Sequence, residues 1–298
     1  MTPPPSDRTG LAAKRWRRLV RARRAEMDRL VPDGGAVGAA YWDSRARHFA
    51  ARTAGSASGD PVLARIRRVA RSTTTVLDVG AGPGRFSLAL APRVASVVAV
   101  DASPVMSSLL RRAARQAGLA NVTTVTGRWE EVEVAPADIA LCSFVLPLVE
   151  DVAGFLAKLD GVCRADAFVY LSALSADAFS DPFWRYFHGK PRQPGPTYLD
   201  AVAVLAELGI DADVEVVEVR VRTRYPSVAA AAKAYREALL LADTAEVRRE
   251  LRGLLSGWLV ADGDVLRPPL RTTPAAIIHW SPRLGGPTPR RAAGRSRG

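Results

Sequence analysis

The chain has 298 residues, 48% of them hydrophobic, with a net charge of +12, two cysteines and three histidines. That is enough apolar material for one large α/β domain or two small ones. Two cysteines make neither a disulfide framework nor a zinc site, no apolar run approaches the roughly 20 residues that span a bilayer, and an Arg-rich segment stands where a signal peptide would need an apolar one. These features predict a cytoplasmic protein without a structural metal. The charge is uneven. Residues 1–30 hold nine Lys/Arg against three Asp/Glu, and residues 286–298 hold four Arg and no acid, so the body between them is nearly neutral. A nucleic-acid enzyme usually shows a basic face on its body. DNA is therefore not expected as a partner, and contact with RNA or an anionic membrane would fall to the basic tails.

In chain order, residues 1–37 read as a basic leader, disordered at first and then helical over "LAAKRWRRLVRARRAEMDRL", where Trp16, Leu19, Val20, Met27 and Leu30 approximate one face. This reads as a solvated segment dispensable for chemistry, and a chain starting at Met27 is expected to fold. The sharper alternative is a weak contact with anionic lipid or RNA. A linker follows, then helical patterns at 40–54 and 61–71. From residue 74, short β-branched runs (75–79, 96–100, 122–126, 138–144, 166–172, 213–223, 275–280) alternate with helical stretches (84–93, 104–118, 150–163, 197–209). Strand alternating with helix means parallel βαβ units in a doubly wound, mostly parallel seven-stranded sheet with helices on both faces. Residues 227–260 read as two helices inserted before the last strand. The main domain is thus expected over 38–285, ending in a disordered basic tail at 286–298.

The densest signal is "TVLDVGAGPGRF". Gly80, Gly82 and Gly84 follow an apolar strand and precede a helix. In such folds this turn lies at the carboxyl ends of the strands, where cofactors bind. A nucleoside triphosphate loop needs Lys-Ser/Thr after the glycines, and Arg85-Phe86 stands there instead. A dinucleotide fingerprint needs a third glycine at the position of Arg85, whose bulk hinders helix-on-strand packing. The spacing resembles motif I of the class I S-adenosylmethionine-dependent methyltransferases, an acidic residue followed by G-x-G-x-G. The resemblance extends through "SVVAVDASPVM", where an acid, Asp101, ends the second strand, and through "ADIALCSFVLPLVED".

The resemblance implies a Rossmann-like fold and S-adenosylmethionine as cofactor. It implies roles for Asp78 (ordering the loop and placing the amino group), Gly80, Ala81, Gly82 and Gly84 (close contact with the cofactor), and Asp101 and Ala102 (the ribose). Arg128 and Trp129 would flank the adenine, with Glu130 in place of an acid that the family often carries where Arg128 stands. Ser143 would lie beside the reacting centre. Phe144 follows it, and "SFVL" is not the tetrad of the amino-DNA methyltransferases. Cys142 follows Leu141 rather than a proline and reads as a core thiol. The implied activity is methyl transfer to a small-molecule O- or N-nucleophile. An RNA or protein methyltransferase docking through its tails, and a non-catalytic S-adenosylmethionine-binding protein, are the alternatives.

Substrate residues are sought in two added segments. The helix at 40–54 offers Tyr41, Trp42 and His48. The loop "SADAFSDPFWRYFHGKPRQPGPTYL" offers Asp181, Trp184, Tyr198 and His188. A loop of this length inside a compact domain is usually functional. His188 is the first candidate for a general base and His48 the second, while His279 reads as structural.

Overall fold

The computed structural model describes residues 10–30, 43, 46, 50, 57–174 and 180–282. Seven strands form the main sheet: β1 (Thr75–Val79), β2 (Ser96–Asp101), β3 (Val122–Thr126), β4 (Ala137–Ser143), β5 (Cys163–Ser172), β6 (Asp213–Arg220) and β9 (Thr272–Trp280). Their order is β3-β2-β1-β4-β5-β9-β6. The first five pair in parallel, and β9 enters antiparallel between β5 and β6. This is the expected doubly wound, mostly parallel sheet. The chain order reverses at β1/β4, so a ligand crevice opens above Gly80.

Both faces of the sheet are covered, so the central strands carry near-continuous apolar runs and side-chain alternation divides them between two cores. Leu77, Val79, Ala140, Cys142, Ala167 and Val169 face one side. There they meet α1 (Leu11–Leu30), α5 (Val152–Val162) and α7 (Tyr198–Glu207). Val76, Ile139, Leu141, Phe168 and Tyr170 face the other, against α2 (Pro61–Val69) and the Phe86–Leu90 segment containing the short helix α3 (Ser87–Leu90). Helix α4 (Pro104–Gln116) flanks β2 and β3. Its N-cap, Ser103, accepts from Met106 N at 3.0 Å, with Pro104 in the first turn as the sequence suggests.

Two expectations change here. The first concerns residues 11–30, which are helical but packed into the protein along one face. Trp16 is wholly buried, with Ala13 and Val20 beside it in the main core. Its apolar face is used inside the protein, and Arg15 pairs with Asp200 at 2.7 Å.

The second concerns the loop read over 175–199, of which 175–179 lie outside the described residues. Residues 181–188 form helix α6 (Asp181–His188), which packs Phe183 and Trp184 on α8 (Val228–Ala238) and α9 (Ala245–Trp258). Phe183 meets Tyr235 and Trp258 edge-on, each at 5.3 Å. The two helices expected over 227–260 are therefore the body of a small lobe, and the aromatics of α6 are its glue. A hairpin of β7 (Val260–Asp262) and β8 (Val265–Arg267), absent from the sequence reading, adjoins it.

Candidate active site

A cavity of about 620 Å³ opens over the carboxyl ends of β1, β2 and β4, within the size range of small-molecule sites. Its lining includes Gly80, Gly82, Asp101, Ala102, Arg128, Trp129 and Ser143, seven of the ten residues assigned to the cofactor from sequence. The other three lie directly behind. Ala81 packs against Leu110, Asp78 is buried beneath the turn, and Gly84 backs onto α4.

The turn has its shape for physical reasons. Gly80 has φ +73°, and a Cβ there would sit 2.1 Å from a Val145 methyl. Gly84 has φ +94°, and a Cβ would lie 2.2 Å from Leu110. Both the left-handed backbone and the close approach demand glycine. The amides of Gly80 and Ala81 donate to Val100 O at 2.8 and 3.0 Å. Gly82 N donates to Asp101 Oδ2 at 2.7 Å and Ser103 N to Asp101 Oδ1 at 2.8 Å. Each Asp101 oxygen thus spends one lone pair inside the protein and keeps capacity for a ribose hydroxyl. Burial raises the Asp101 carboxyl above its ordinary range, the two amides oppose that, and the nearby Asp43 adds to it. Asp43 itself accepts from the Ser103 hydroxyl.

Asp78 is 1% exposed. Its Oδ2 accepts from Ser87 Oγ at 2.6 Å, while Oδ1 is buried without a partner. Burial pushes its pKa up to about 6; the Ser87 hydroxyl lowers it and the Asp101 charge raises it. A buried half-satisfied carboxylate is costly unless a donor or cation completes it. The α-amino group of S-adenosylmethionine is such a cation, and this orphaned oxygen is the observation by which the residues fit that cofactor. The cavity lining agrees. Asp101, Glu130, Glu150 and Asp151 outnumber Arg24 and Arg128, which suits a ligand bearing a sulfonium and an ammonium.

Trp129 is 4% exposed and packs on Phe155 at 6.0 Å, with Lys158 Nζ 4.6 Å from its ring centre. Arg128 stays at the rim, 3.7 Å from Glu130 and 3.3 Å from Glu131. Beyond Ser143 the backbone of Phe144 turns left-handed, φ +59°. Phe144 N donates to Tyr170 O at 2.8 Å, and its ring lies 4.9 Å from Tyr170, 40% exposed at the cavity mouth. Left-handed phenylalanine is strained, and such strain gathers at functional sites. The Cys142 thiol is buried, and burial first and the Asp78 charge second push its pKa up. It is the inert core thiol expected.

The structure does not bring the other candidates to the cavity. His188 Nε2 lies 2.9 Å from Leu239 O and its ring 4.1 Å from Trp184. It is occupied in the helical lobe and does not line the cavity, so it is not placed to act as the base. Asp181 lies 3.6 Å from Arg192, and Trp184 is 1% exposed within the same lobe. Tyr198 begins α7 and packs against the main core. Trp184 and Tyr198 are held by packing and Asp181 pairs with Arg192, and none of the three lines the cavity. Tyr41, Trp42 and His48 lie outside the described residues. His279 pairs with Asp166 at 2.8 Å, in keeping with its structural reading. Lining residues not assigned from sequence include Met106, Leu148, Val149, Glu150, Asp151 and Arg24. The first five follow strands β2 and β4, where topology alone could have placed them, but nothing in the sequence pointed to Arg24. Among the described residues no cluster of metal-ligating side chains occurs, and no helix is long and apolar enough to cross a membrane.

Residues 76–166 match the family described as a methyltransferase domain. That stretch runs from β1 through the first part of β5 and contains every residue lining the cavity except Arg24. An uncharacterized protein of Haemophilus influenzae is 29% identical over 180 residues, covering 59% of this chain and 66% of that protein. A 23S rRNA (uracil(1939)-C(5))-methyltransferase of Chromohalobacter salexigens is 52% identical over 52 residues, only 17% of this chain and 11% of that enzyme. The fold is shared with a putative methyltransferase from Bacillus halodurans, at TM-score 0.51 and 18% identity, over 74% of this chain and 97% of that one. It is shared too with the YcgJ protein of Bacillus subtilis, at TM-score 0.50 and 16% identity, over 75% of this chain and 98% of that one. Motif, fold and family match agree: residues 76–166 are similar to a methyltransferase domain, and the site they build fits S-adenosylmethionine as cofactor.

Proposed function

We propose that this protein transfers the methyl group of S-adenosylmethionine to a small-molecule O- or N-nucleophile whose flat, apolar body rests on Phe144. The cofactor supplies an electrophilic methyl on a sulfonium, so the leaving group is already good. The chain's task is to bind, orient and exclude water. Asp101 and the Gly80–Gly82 turn would hold the ribose side, Asp78 would balance the amino group, and Trp129 and Phe155 would form the apolar wall toward the base. The observation that carries the acceptor reading is the exposed ring of Phe144. The chain accepts a left-handed phenylalanine to keep that ring at the mouth, beside the strand end where the methyl is expected.

The test is methylation with labelled S-adenosylmethionine of separated small-molecule, RNA and protein fractions. Label is expected in a small molecule. Phe144→Ala should lower that transfer at least tenfold while leaving cofactor affinity unchanged. Equal transfer by the variant refutes the role of the ring. One observation favours RNA as a second reading: among the described residues Lys14, Arg18 and Arg29, on the outer face of α1, have no ion-pair partner, and phosphates suit such a row. Label confined to RNA would establish that reading instead, and cofactor binding with label in no fraction would leave a binding protein.

A further inference from the structure

Helix α1 grips three consecutive residues of one wall of the cavity. Trp16 Nε1 donates to Val149 O at 2.8 Å. Arg21 Nε and Arg24 Nη1 donate to the two oxygens of Glu150, each at 2.9 Å. Arg17 lies 3.6 Å from Asp151. Val149, Glu150 and Asp151 all line the cavity, together with Ser143, Phe144, Val145 and Leu148 of the same segment. That segment has little regular structure of its own. One short 3₁₀ turn at Leu146–Leu148 and the bond from Phe144 N to Tyr170 O fix its first half. In its second half Val149 N donates to Leu146 O at 2.9 Å and Asp151 caps α5, accepting from Gly154 N at 3.3 Å, while the carbonyl of Val149 and the side chain of Glu150 are held from outside, by α1.

The helix is itself well anchored. Ala13, Trp16 and Val20 are in the core. Glu207 accepts from Ala12 N at 2.7 Å and Ala13 N at 3.2 Å, satisfying amides that a helix start leaves open. Arg15 pairs with Asp200 at 2.7 Å, and buried Glu26 accepts from Gln193 N at 2.9 Å. The hydrogen bond from Arg21 holds Glu150 below the usual carboxylate range, with the charges of Arg24 and Arg17 adding to it.

We infer that α1 is a positioning clamp for the active site: through Trp16, Arg17, Arg21 and Arg24 it holds residues 143–151 in the shape that receives the cofactor. The affinity part of this inference rests on the cofactor assignment above; the positional part does not. The helix lies outside the segment matched by the methyltransferase family.

Two variants test it without touching the cavity, because Trp16, Arg17 and Arg21 are absent from its lining. Trp16→Phe keeps a buried aromatic, smaller than the indole, and removes the bond to Val149 O. Arg17→Ala/Arg21→Ala removes charge from a largely solvent-facing surface. Arg18→Ala, on the same helix and unpaired, is the control. Amide exchange over 144–151 should accelerate about tenfold in both test variants, while exchange in β1 and β4 stays as in the wild type. Calorimetric affinity for S-adenosylmethionine should fall about threefold to tenfold, the effect of losing one hydrogen bond or a partly exposed ion pair. Arg18→Ala should change neither. Unchanged exchange over 144–151 in both variants overturns the clamp. So does exchange rising equally across the sheet, which is mere loss of stability. A loosened loop with unaltered affinity overturns its role toward the cofactor. If the wild type binds no S-adenosylmethionine, the cofactor assignment fails, and the exchange measurement still decides whether α1 holds the loop.

Discussion

Asp78→Asn isolates the charge that the fold tolerates beneath the glycine turn. The Asp78 carboxyl is raised to about 6 in the folded chain, chiefly by burial, from an ordinary value of 3.8. An acid whose folded pKa lies above its unfolded one binds its proton more tightly when folded. Its stabilising contribution is complete below pH 3.8 and is lost as pH rises through about 6. At pH 8 the buried charge then costs about 3 kcal/mol, and about 1.4 kcal/mol of that develops between pH 5 and pH 8. Asparagine keeps an oxygen for the Ser87 hydroxyl and never ionises. Its amide places a donor where Oδ1 now lacks a partner, costing about 1–3 kcal/mol at every pH. The informative quantity is therefore the slope and not the offset. Urea unfolding of both proteins at pH 5, 6, 7 and 8 should show the wild type losing about 1.4 kcal/mol relative to the variant across that range. With saturating S-adenosylmethionine the wild-type slope should flatten, because the bound cation stabilises the carboxylate, while the variant should bind the cofactor more weakly. Parallel pH profiles without ligand would refute the reasoning, since Asp78 would then titrate alike in the folded and unfolded chain.

Asp101→Ala should weaken S-adenosylmethionine binding by about 10²- to 10⁴-fold, the loss of two charge-assisted hydrogen bonds to ribose, while circular dichroism shows the fold retained; calorimetry reads the affinity. Gly80→Ala should cost about 2–5 kcal/mol in denaturant unfolding, from a left-handed alanine and the contact with stiff Val145. His188→Ala should leave S-adenosylmethionine affinity unchanged and lower stability by about 1–3 kcal/mol, because its ring is spent on Leu239 O and Trp184. A fall in affinity without a fall in stability would return His188 to the site.

The glycine turn, Asp101 and the order of the sheet's elements were legible because they rest on short-range signals: turn chemistry, a strand ending in an acid, period two against period 3.6. The two inserted helices were legible for the same reason, since 227–260 matches Val228–Ala238 and Ala245–Trp258 closely. The rest depends on partners far away in the chain. Nothing in residues 11–30 says that Trp16 reaches Val149 or that Arg21 meets Glu150, and a helix with that pattern reads equally well as solvated. His188 misled for a related reason. Its ring chemistry suits proton transfer, but the sequence does not show that α6 turns it toward Leu239. Phe144 carries no local signal for a left-handed backbone; only the neighbouring turn and Tyr170 impose it.

The antiparallel insertion of β9 also dictates an order of assembly. Among the described residues strand β6 pairs only with β9, from Asp213↔His279 to Arg220↔Thr272. Until residues 272–280 have left the ribosome, β6 has no neighbour to join, and β5 presents an open edge. Helices α8 and α9 of the lobe, which lie between β6 and β9 in sequence, must emerge during that interval. A nascent chain therefore carries the finished cofactor turn of β1, β2 and β4 well before its sheet is closed. Meanwhile Val217 and Val219, which pack against the core in the finished sheet, stand on an unpaired strand, so synthesis halted near residue 270 should yield a species prone to aggregation through that edge.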